Sequence, residues 1–470
     1  MKILVCGATG ILGTELCKLF DLKNVDYIGI YNRNKIHKDN YYHFNQLDNV
    51  INLYKPTHCI NCIVNRDVNE CETKWNTIKE INIDITERLA KYKNIKLIHI
   101  STDYVFDGKN PPYYEDSEVN PLQNYGISKY ISERRVIANC DWYLIIRVPV
   151  LFSNSTDNAL FQICKKLMNT LKTTFEDDIS IRRPVYIPIL CTFIHDAIIN
   201  NYSGIYHFYN PIDRYTKYQL VQILSKIINK PSDHILPSYD ITNRPIDTQL
   251  IDKKYDIYNY YKDYNFENIL SNCFKKYYHP SDYKDCFILL DLDGTLINSI
   301  DLHYKSYNSV IQIDRNEFNI LIQNNNLTYP NDLIREKKYE IFKNNIHELT
   351  YIKNAEAFIE YINENNINHA VVTNTNKVNV ELIKDQLPLL KKLKNWVTRE
   401  EYSEPKPNQE CYNYAIEKYY KNEKYIIGFE DTVAGYNALK NITSLIYIIT
   451  HNEHYFKDLD VFISDKYIVP

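Results

Sequence analysis

The chain has 470 residues, 24% of them charged, and a formal net charge of −4, so it exceeds one ordinary core and carries no global basic field for a nucleic-acid partner. Its eleven cysteines are mostly scattered; Cys59 and Cys62 form one CxxC, but no second pair or histidine cluster completes a zinc site. The N-terminal apolar run is too short for a signal peptide, and no run reaches the roughly eighteen residues of a membrane-spanning helix, so a cytoplasmic protein with reduced thiols and no membrane partner is expected.

Tyrosine is abundant at 43 residues and glycine scarce at ten. Tyrosine–lysine patterns therefore arise by chance in this chain, whereas glycine clusters do not. Gly7, Gly10, Gly13, Gly108, Gly126, Gly294, Gly428 and Gly435 all fall inside candidate sites, which makes glycine the better guide.

Lys2 to Cys6 reads as a short strand, Gly7-Ala8-Thr9-Gly10-Ile11-Leu12-Gly13 as a turn, and Thr14 to Phe20 as a helix. Strand, glycine turn and helix in that order place a dinucleotide pyrophosphate on free N–H groups at a helix N-terminus. A second strand, Asp26 to Tyr31, ends in Asn32-Arg33, where an acid would normally hold a ribose 2′-hydroxyl. Arg33 suits a 2′-phosphate instead, favouring NADPH over NADH. Further strands at His58 to Ile63, Lys96 to Ser101 and Trp142 to Arg147 alternate with helical stretches near Asn76 to Tyr92 and Gln123 to Ile137, predicting a doubly wound parallel sheet. At the strand ends stand Ser101-Thr102-Asp103-Tyr104, and Tyr125 and Lys129 lie one helical turn apart, where the ammonium would lower the phenol pKa for general acid work.

The run from Ser101 through Val105-Phe106-Asp107-Gly108, with Tyr114-Glu115-Asp116, Asn120-Pro121-Leu122 and Tyr125-Gly126-x-Ser128-Lys129, resembles the dTDP-4-dehydrorhamnose reductases of the extended short-chain dehydrogenase/reductase superfamily. Ile60-Asn61, Asn82, Arg147, Gly204-Ile205-Tyr206-His207, Arg244-Pro245 and Leu250 extend the likeness over roughly residues 1 to 265. The resemblance implies that Tyr125 protonates the C4 ketone of a nucleotide-linked 4-keto-6-deoxy sugar, Lys129 holds the nicotinamide ribose, Thr102 polarises the ketone, and Asp103 and Tyr104 flank the sugar. One departure stands out: the small-residue run that follows Ile60-Asn61 in that family is Cys62-Ile63-Val64-Asn65 here. The regulatory subunit of methionine adenosyltransferase, a binding partner, shares these signatures, and Arg147-Val148-Pro149-Val150-Leu151-Phe152 is at least as close to it. Both readings stay open on sequence.

Periodicity is lost around His279-Pro280, giving a linker at 271–284 between a domain at 1–270 and another at 285–470. In the second, the apolar run Cys286 to Leu290 leads into Asp291-Leu292-Asp293-Gly294-Thr295-Leu296, two carboxylates at i, i+2 that can serve as phosphorus nucleophile and proton shuttle. Ala370-Val371-Val372-Thr373-Asn374, Lys406-Pro407 and Tyr425 through Glu430-Asp431 follow in order, resembling the haloacid dehalogenase superfamily. That resemblance implies an Asp291 nucleophile forming an aspartyl-phosphate, Asp293 as general acid/base, Thr373 and Lys406 at the phosphoryl group, and Mg²⁺ held among Asp291, Asp293, Glu430 and Asp431. Residues 300–349 read as a small helical cap, as in the β-phosphoglucomutase-like branch, where a histidine like His303 also follows the first motif. Such a cap selects small phosphate esters. The sequence therefore leads to an α/β protein, a Rossmann-type sheet followed by a capped haloacid dehalogenase-type domain. The expected activity is bifunctional: sugar-nucleotide reduction plus phosphate-ester hydrolysis, with homo-oligomers compatible.

Overall fold

The computed structural model describes residues 1–32, 38–155, 158–240, 244–280, 282–450, 453–456, 459, 461–464 and 467; Arg33 lies outside them. The chain divides into two compact units, one of residues 1–164, 174–224 and 235–273, the other of 165–173, 225–234 and 274–470.

The first unit is built on a seven-stranded sheet in the order Gly204–His207, Tyr143–Val148, Lys96–Thr102, His58–Asn61, Ile3–Cys6, Tyr27–Tyr31, Tyr41–His43. Every pairing in it is parallel. Alternate residues serve opposite faces: Ile3, Val5, Ile60, Ile98, Leu144 and Ile146 enter one core, and Leu4, Cys6, Ile30, Cys59, Leu97 and Ile145 the other. Burying such an aliphatic side chain contributes roughly 1.5–3 kcal/mol. Both faces are thus fixed by apolar burial, and only the strand ends are free for chemistry. Chain order reverses at Ile3–Cys6, so the ligand crevice lies at the carboxyl ends of this strand and His58–Asn61.

The second unit carries a parallel sheet ordered Trp396–Val397, Asn368–Val372, Cys286–Leu290, Tyr425–Glu430, Leu445–Ile449, Phe462–Ser464. Phe287, Leu289, Ala370, Val372, Ile446 and Ile448 fill one face. Its switch point is Cys286–Leu290, flanked by the strand that leads into Thr373 and the strand that ends in Glu430. The expected cap is present as helices Ile300–Ile311, Arg315–Gln323 and Asp332–Asn344. Asp314 opens the second of these by accepting from the amides of Asn316 and Glu317. No described helix is long and apolar enough to cross a membrane.

Candidate functional sites

In the first unit the turn after Ile3–Cys6 is held by Gly7 and Ala8, whose amides both donate to the carbonyl of Ile30 at 2.9 Å. A Cβ on Gly13 would stand 2.2 Å from the Gly7 oxygen, so only glycine lets helix Ile11–Leu22 begin this close to the turn. Gly10 is the N-cap and brings no side chain over the first-turn N–H groups of Ile11, Leu12 and Gly13, leaving them to an anion. The main chain of Cys62, where the family's small-residue run would begin, lies against Gly7. Asn32 offers its carbonyl to the His43 ring at 3.1 Å.

Strand Lys96–Thr102 delivers Thr102, and helix Asn124–Asn139, capped by the Gln123 side chain on the Gly126 amide, carries Tyr125 and Lys129. Tyr104 packs edge-on to Tyr125 at 6.2 Å, and Asp103 is hydrogen-bonded by Thr102 at 3.2 Å and by Thr248. Thr102, Asp103, Tyr104 and Tyr125 are therefore brought together. Burial pushes the Asp103 carboxyl up to about 6. Lys129 points elsewhere: its ammonium, 2% exposed, donates to His99 Nε2 at 3.1 Å. Burial lowers Lys129 to about 8, and burial together with the Lys129 charge holds His99 neutral. Burial likewise raises the Tyr125 phenol, with the Thr102 hydrogen bond opposing and nearby Asp103, Cys71 and Tyr104 adding to the rise. The expected lowering of the Tyr125 pKa by Lys129 is not what this geometry produces, because the half-buried phenol is largely desolvated and the buried lysine is committed to the histidine.

Behind the site Asn82 receives the Asn65 amide at 2.8 Å and donates to Ser128 Oγ at 3.0 Å, from a stretch, Lys79–Asp84, wound as a π-helix. Arg147 binds Glu133 bidentately at 3.0 and 2.8 Å with both groups buried. Arg147→Met strands the Glu133 carboxylate and is expected to cost about 3–5 kcal/mol in denaturant unfolding of the full chain, most of it recovered in Arg147→Met/Glu133→Leu.

In the second unit Asp291 leaves strand Cys286–Leu290, its amide donating to the Phe429 carbonyl at 3.0 Å. Gly294 has φ +80°, and a Cβ there would meet Asp431 Oδ2 at 2.0 Å, so the turn needs glycine both for its conformation and for the approach of the acid loop. Lys406 Nζ bridges Asp291 Oδ1 and Glu430 Oε1, each at 2.6 Å, and also donates to the Val372 carbonyl at 3.0 Å. Tyr412 donates to the same Glu430 oxygen at 2.6 Å. Burial raises Asp291 to about 7 against the pull of Lys406, and burial with the neighbouring Asp291 and Glu430 raises Asp431 well above the usual carboxylate range. Ligand atoms of Asp291, Glu430 and Asp431 lie within 4.8 Å of one another. Among the described residues, Asp291 Oδ2 and Asp431 Oδ2 are buried without a hydrogen-bond partner, a clustered, anionic, all-oxygen donor set that fits a hard divalent cation.

Asp293, expected among the metal ligands, stands outside this cluster. Its Oδ2 accepts from Thr375 at 2.7 Å and Thr373 at 3.5 Å, and its Oδ1 meets His303 Nε2 at 3.3 Å. Burial works to raise the Asp293 pKa, but the hydrogen bonds from His303 and Thr375 win and hold it below the usual range. Lys338 on the third cap helix meets His303 Nδ1 at 3.0 Å. Burial and the Lys338 charge lower the His303 pKa, with Asp293 opposing; a neutral ring accepting from lysine at Nδ1 donates its Nε2–H to Asp293. Thr375 is legible in the repeat Thr373-Asn374-Thr375-Asn376, but Lys338 and Tyr412 carry no sequence signal, since a lysine or tyrosine on an amphipathic helix reads as solvated surface.

Fold and sites thus define a Rossmann-type NAD(P)-binding unit joined to a capped, aspartate-centred Rossmannoid unit. Residues 1–278 match the RmlD substrate binding domain family, and residues 288–444 match the haloacid dehalogenase-like hydrolases. The chain belongs to the RmlD substrate binding domain family, as an RmlD-like domain fused to a haloacid dehalogenase-type domain. Methionine adenosyltransferase 2 subunit beta of Danio rerio is 31% identical over 248 residues, covering 50% of this chain and 76% of the relative. The spore coat polysaccharide biosynthesis protein SpsK of Bacillus subtilis is 30% identical over 221 residues, covering 44% of this chain and 73% of that protein. Among solved structures, a hypothetical dTDP-4-dehydrorhamnose reductase from Sulfolobus tokodaii shares 29% identity, covers 53% of this chain and 92% of its own, and gives a TM-score of 0.47.

These likenesses correct the expected activity. The first half aligns more strongly with beta subunits of methionine adenosyltransferase than with reductases, which overturns the expected bifunctional oxidoreductase–hydrolase. Both readings stay open on sequence because Thr102, Tyr125 and Lys129 are all present, and side-chain identity does not distinguish a binding site from a catalytic one.

Proposed function

We propose that residues 1–270 form a non-catalytic NADP-binding regulatory module, similar to the beta subunit of methionine adenosyltransferase, joined through 271–284 to an active Mg²⁺-dependent phosphatase or phosphomutase at 285–470. The likeness to that beta subunit over 76% of its length carries the first part of the reading. The commitment of Lys129 to His99 and the raised Tyr125 phenol support it, since the ammonium that would draw the phenol down is turned to the histidine. NADPH is the cofactor that the glycine turn, with Thr9 and the open first turn of Ile11–Leu22, would hold. The expected partner is the catalytic subunit of a methionine adenosyltransferase. Co-elution of the full chain with such a subunit in size-exclusion chromatography, strengthened by NADPH, is the expected result; separate elution at micromolar concentrations would sink the reading.

For the second part, the partnerless oxygens of Asp291 and Asp431 are the observation that carries it. Asp291, Glu430 and Asp431 would hold Mg²⁺, which when bound screens the repulsion between an anionic nucleophile and a phosphate ester. Asp291 attacks phosphorus and becomes an aspartyl-phosphate as the bond from phosphorus to the ester oxygen breaks, that oxygen leaving as the alcohol with a proton delivered by Asp293. Lys406, already bonded to Asp291, balances the charge gathered there, and Thr373 stands at the adjoining strand end to bind a phosphoryl oxygen. Asp293, hydrogen-bonded by Thr375 and His303, then regains a proton from the water that releases phosphate. The substrate is a small phosphate ester that fits beneath the cap.

A further inference from the structure

The cap meets the acid loop through two amide side chains that the chemistry above does not use. Gln323 is the last residue of cap helix Arg315–Gln323 and is 6% exposed. Its Nε2 donates to the Asp431 carbonyl at 3.5 Å, and its Oε1 accepts the Val433 amide at 3.1 Å. Val433 is the first residue of helix Val433–Leu439, whose opening N–H groups have no partner within the helix, so the cap supplies one. Two residues on, Asn325 donates from Nδ2 to the Lys406 carbonyl at 2.5 Å. Asn325 has φ +54°, a conformation that asparagine tolerates better than most residues and that aims its amide from the rim of the cap.

Both contacts end on main-chain atoms of Asp431, Val433 and Lys406 and leave the charged side chains free. Through these two contacts the cap can rise and fall without breaking a bond to the side chains of Asp291, Glu430, Asp431 or Lys406. Resting on the phosphatase reading above, we infer that Gln323 and Asn325 form a two-point amide latch that holds the cap over the carboxylate cluster, making them the residues that limit the site to esters compact enough to be enclosed. Loss of the latch favours the raised cap. Bulky esters then enter more readily, while compact esters lose the closed environment in which His303 and Lys338 face Asp293.

The test uses the full chain and the double variant Gln323→Ala/Asn325→Gly, the glycine keeping the positive φ while deleting only the amide. With Mg²⁺, kcat and KM are measured on p-nitrophenyl phosphate and on glycerol 2-phosphate, alongside hydrogen exchange of peptides spanning 323–327, 404–408 and 431–435. The ratio of kcat/KM for the aryl ester over the compact ester is expected to rise at least tenfold, with faster exchange confined to those peptides. Equal losses on both esters with exchange rising throughout the unit would show a merely structural role and overturn the inference, as would wild-type values throughout. If the wild type hydrolyses neither ester, the phosphatase reading falls on its own, and exchange alone decides the latch: local acceleration upholds it, unchanged exchange ends it.

Discussion

Asp291→Asn is expected to remove Mg²⁺-dependent phosphate release from a generic ester, by a factor of at least about 10³, without unfolding the chain. Asparagine keeps the shape and the main-chain bond to Phe429 but cannot attack phosphorus or bring negative charge to the cation. The substitution also relieves a strained electrostatic position. Asp291 is raised to about 7 by burial and by repulsion from Glu430 and Asp293, with Lys406 alone among its leading influences pulling it down. A neutral amide there should leave the thermal midpoint unchanged or higher, so lost activity with retained stability is the signature to look for. Residual hydrolysis at more than a few per cent of wild type would contradict the nucleophile assignment.

Lys406→Met is expected to be damaging in two ways. Lys406 is 4% exposed and bonded to both Asp291 and Glu430, so deleting its charge leaves two buried carboxylates against each other. Breaking a buried pair by removing one member costs about 3–5 kcal/mol, and this site holds a triad. Activity should fall together with stability, because the counter-charge to nucleophile and phosphate is gone. Added Mg²⁺ should restore part of the stability, by mass action on the native state, and none of the chemistry. Denaturant unfolding with and without Mg²⁺, paired with phosphate release, separates the two effects. A variant as stable as wild type in the absence of Mg²⁺ would mean that the lysine is not the partner the geometry makes it.

Much of this architecture is legible in the residues, for identifiable reasons. Alternating burial of Ile3, Leu4, Val5 and Cys6 on two faces needs an apolar run, and the chain has one. Gly13 cannot be exchanged without a clash with Gly7, so glycine marks the turn even in a glycine-poor chain. Asp291, Thr373, Lys406 and Asp431 follow one another at strand ends and loops in a fixed order, and the parallel sheet gathers them. What escaped notice depends on distant packing. Lys338 is 35 residues from His303 and sits beside Lys337 on a helix with a polar surface. Asn325 belongs to an asparagine-rich stretch that reads as surface loop; it is exposed, yet its amide still reaches Lys406. The π-helical winding around Asn82 has no local signature. The first half differs: Tyr125 and Lys129 are present at the expected spacing, and only their surroundings reveal a phenol raised by desolvation and an ammonium turned to His99.

The regulatory reading of the first half is tested most directly by mixing the full chain with NADPH and a panel of dTDP- and UDP-linked 4-keto-6-deoxy sugars, following cofactor binding and cofactor oxidation together. The account predicts saturable NADPH binding with no sugar-dependent loss of reduced-cofactor absorbance. Multiple turnovers with any of these sugars, abolished by Tyr125→Phe, would contradict it.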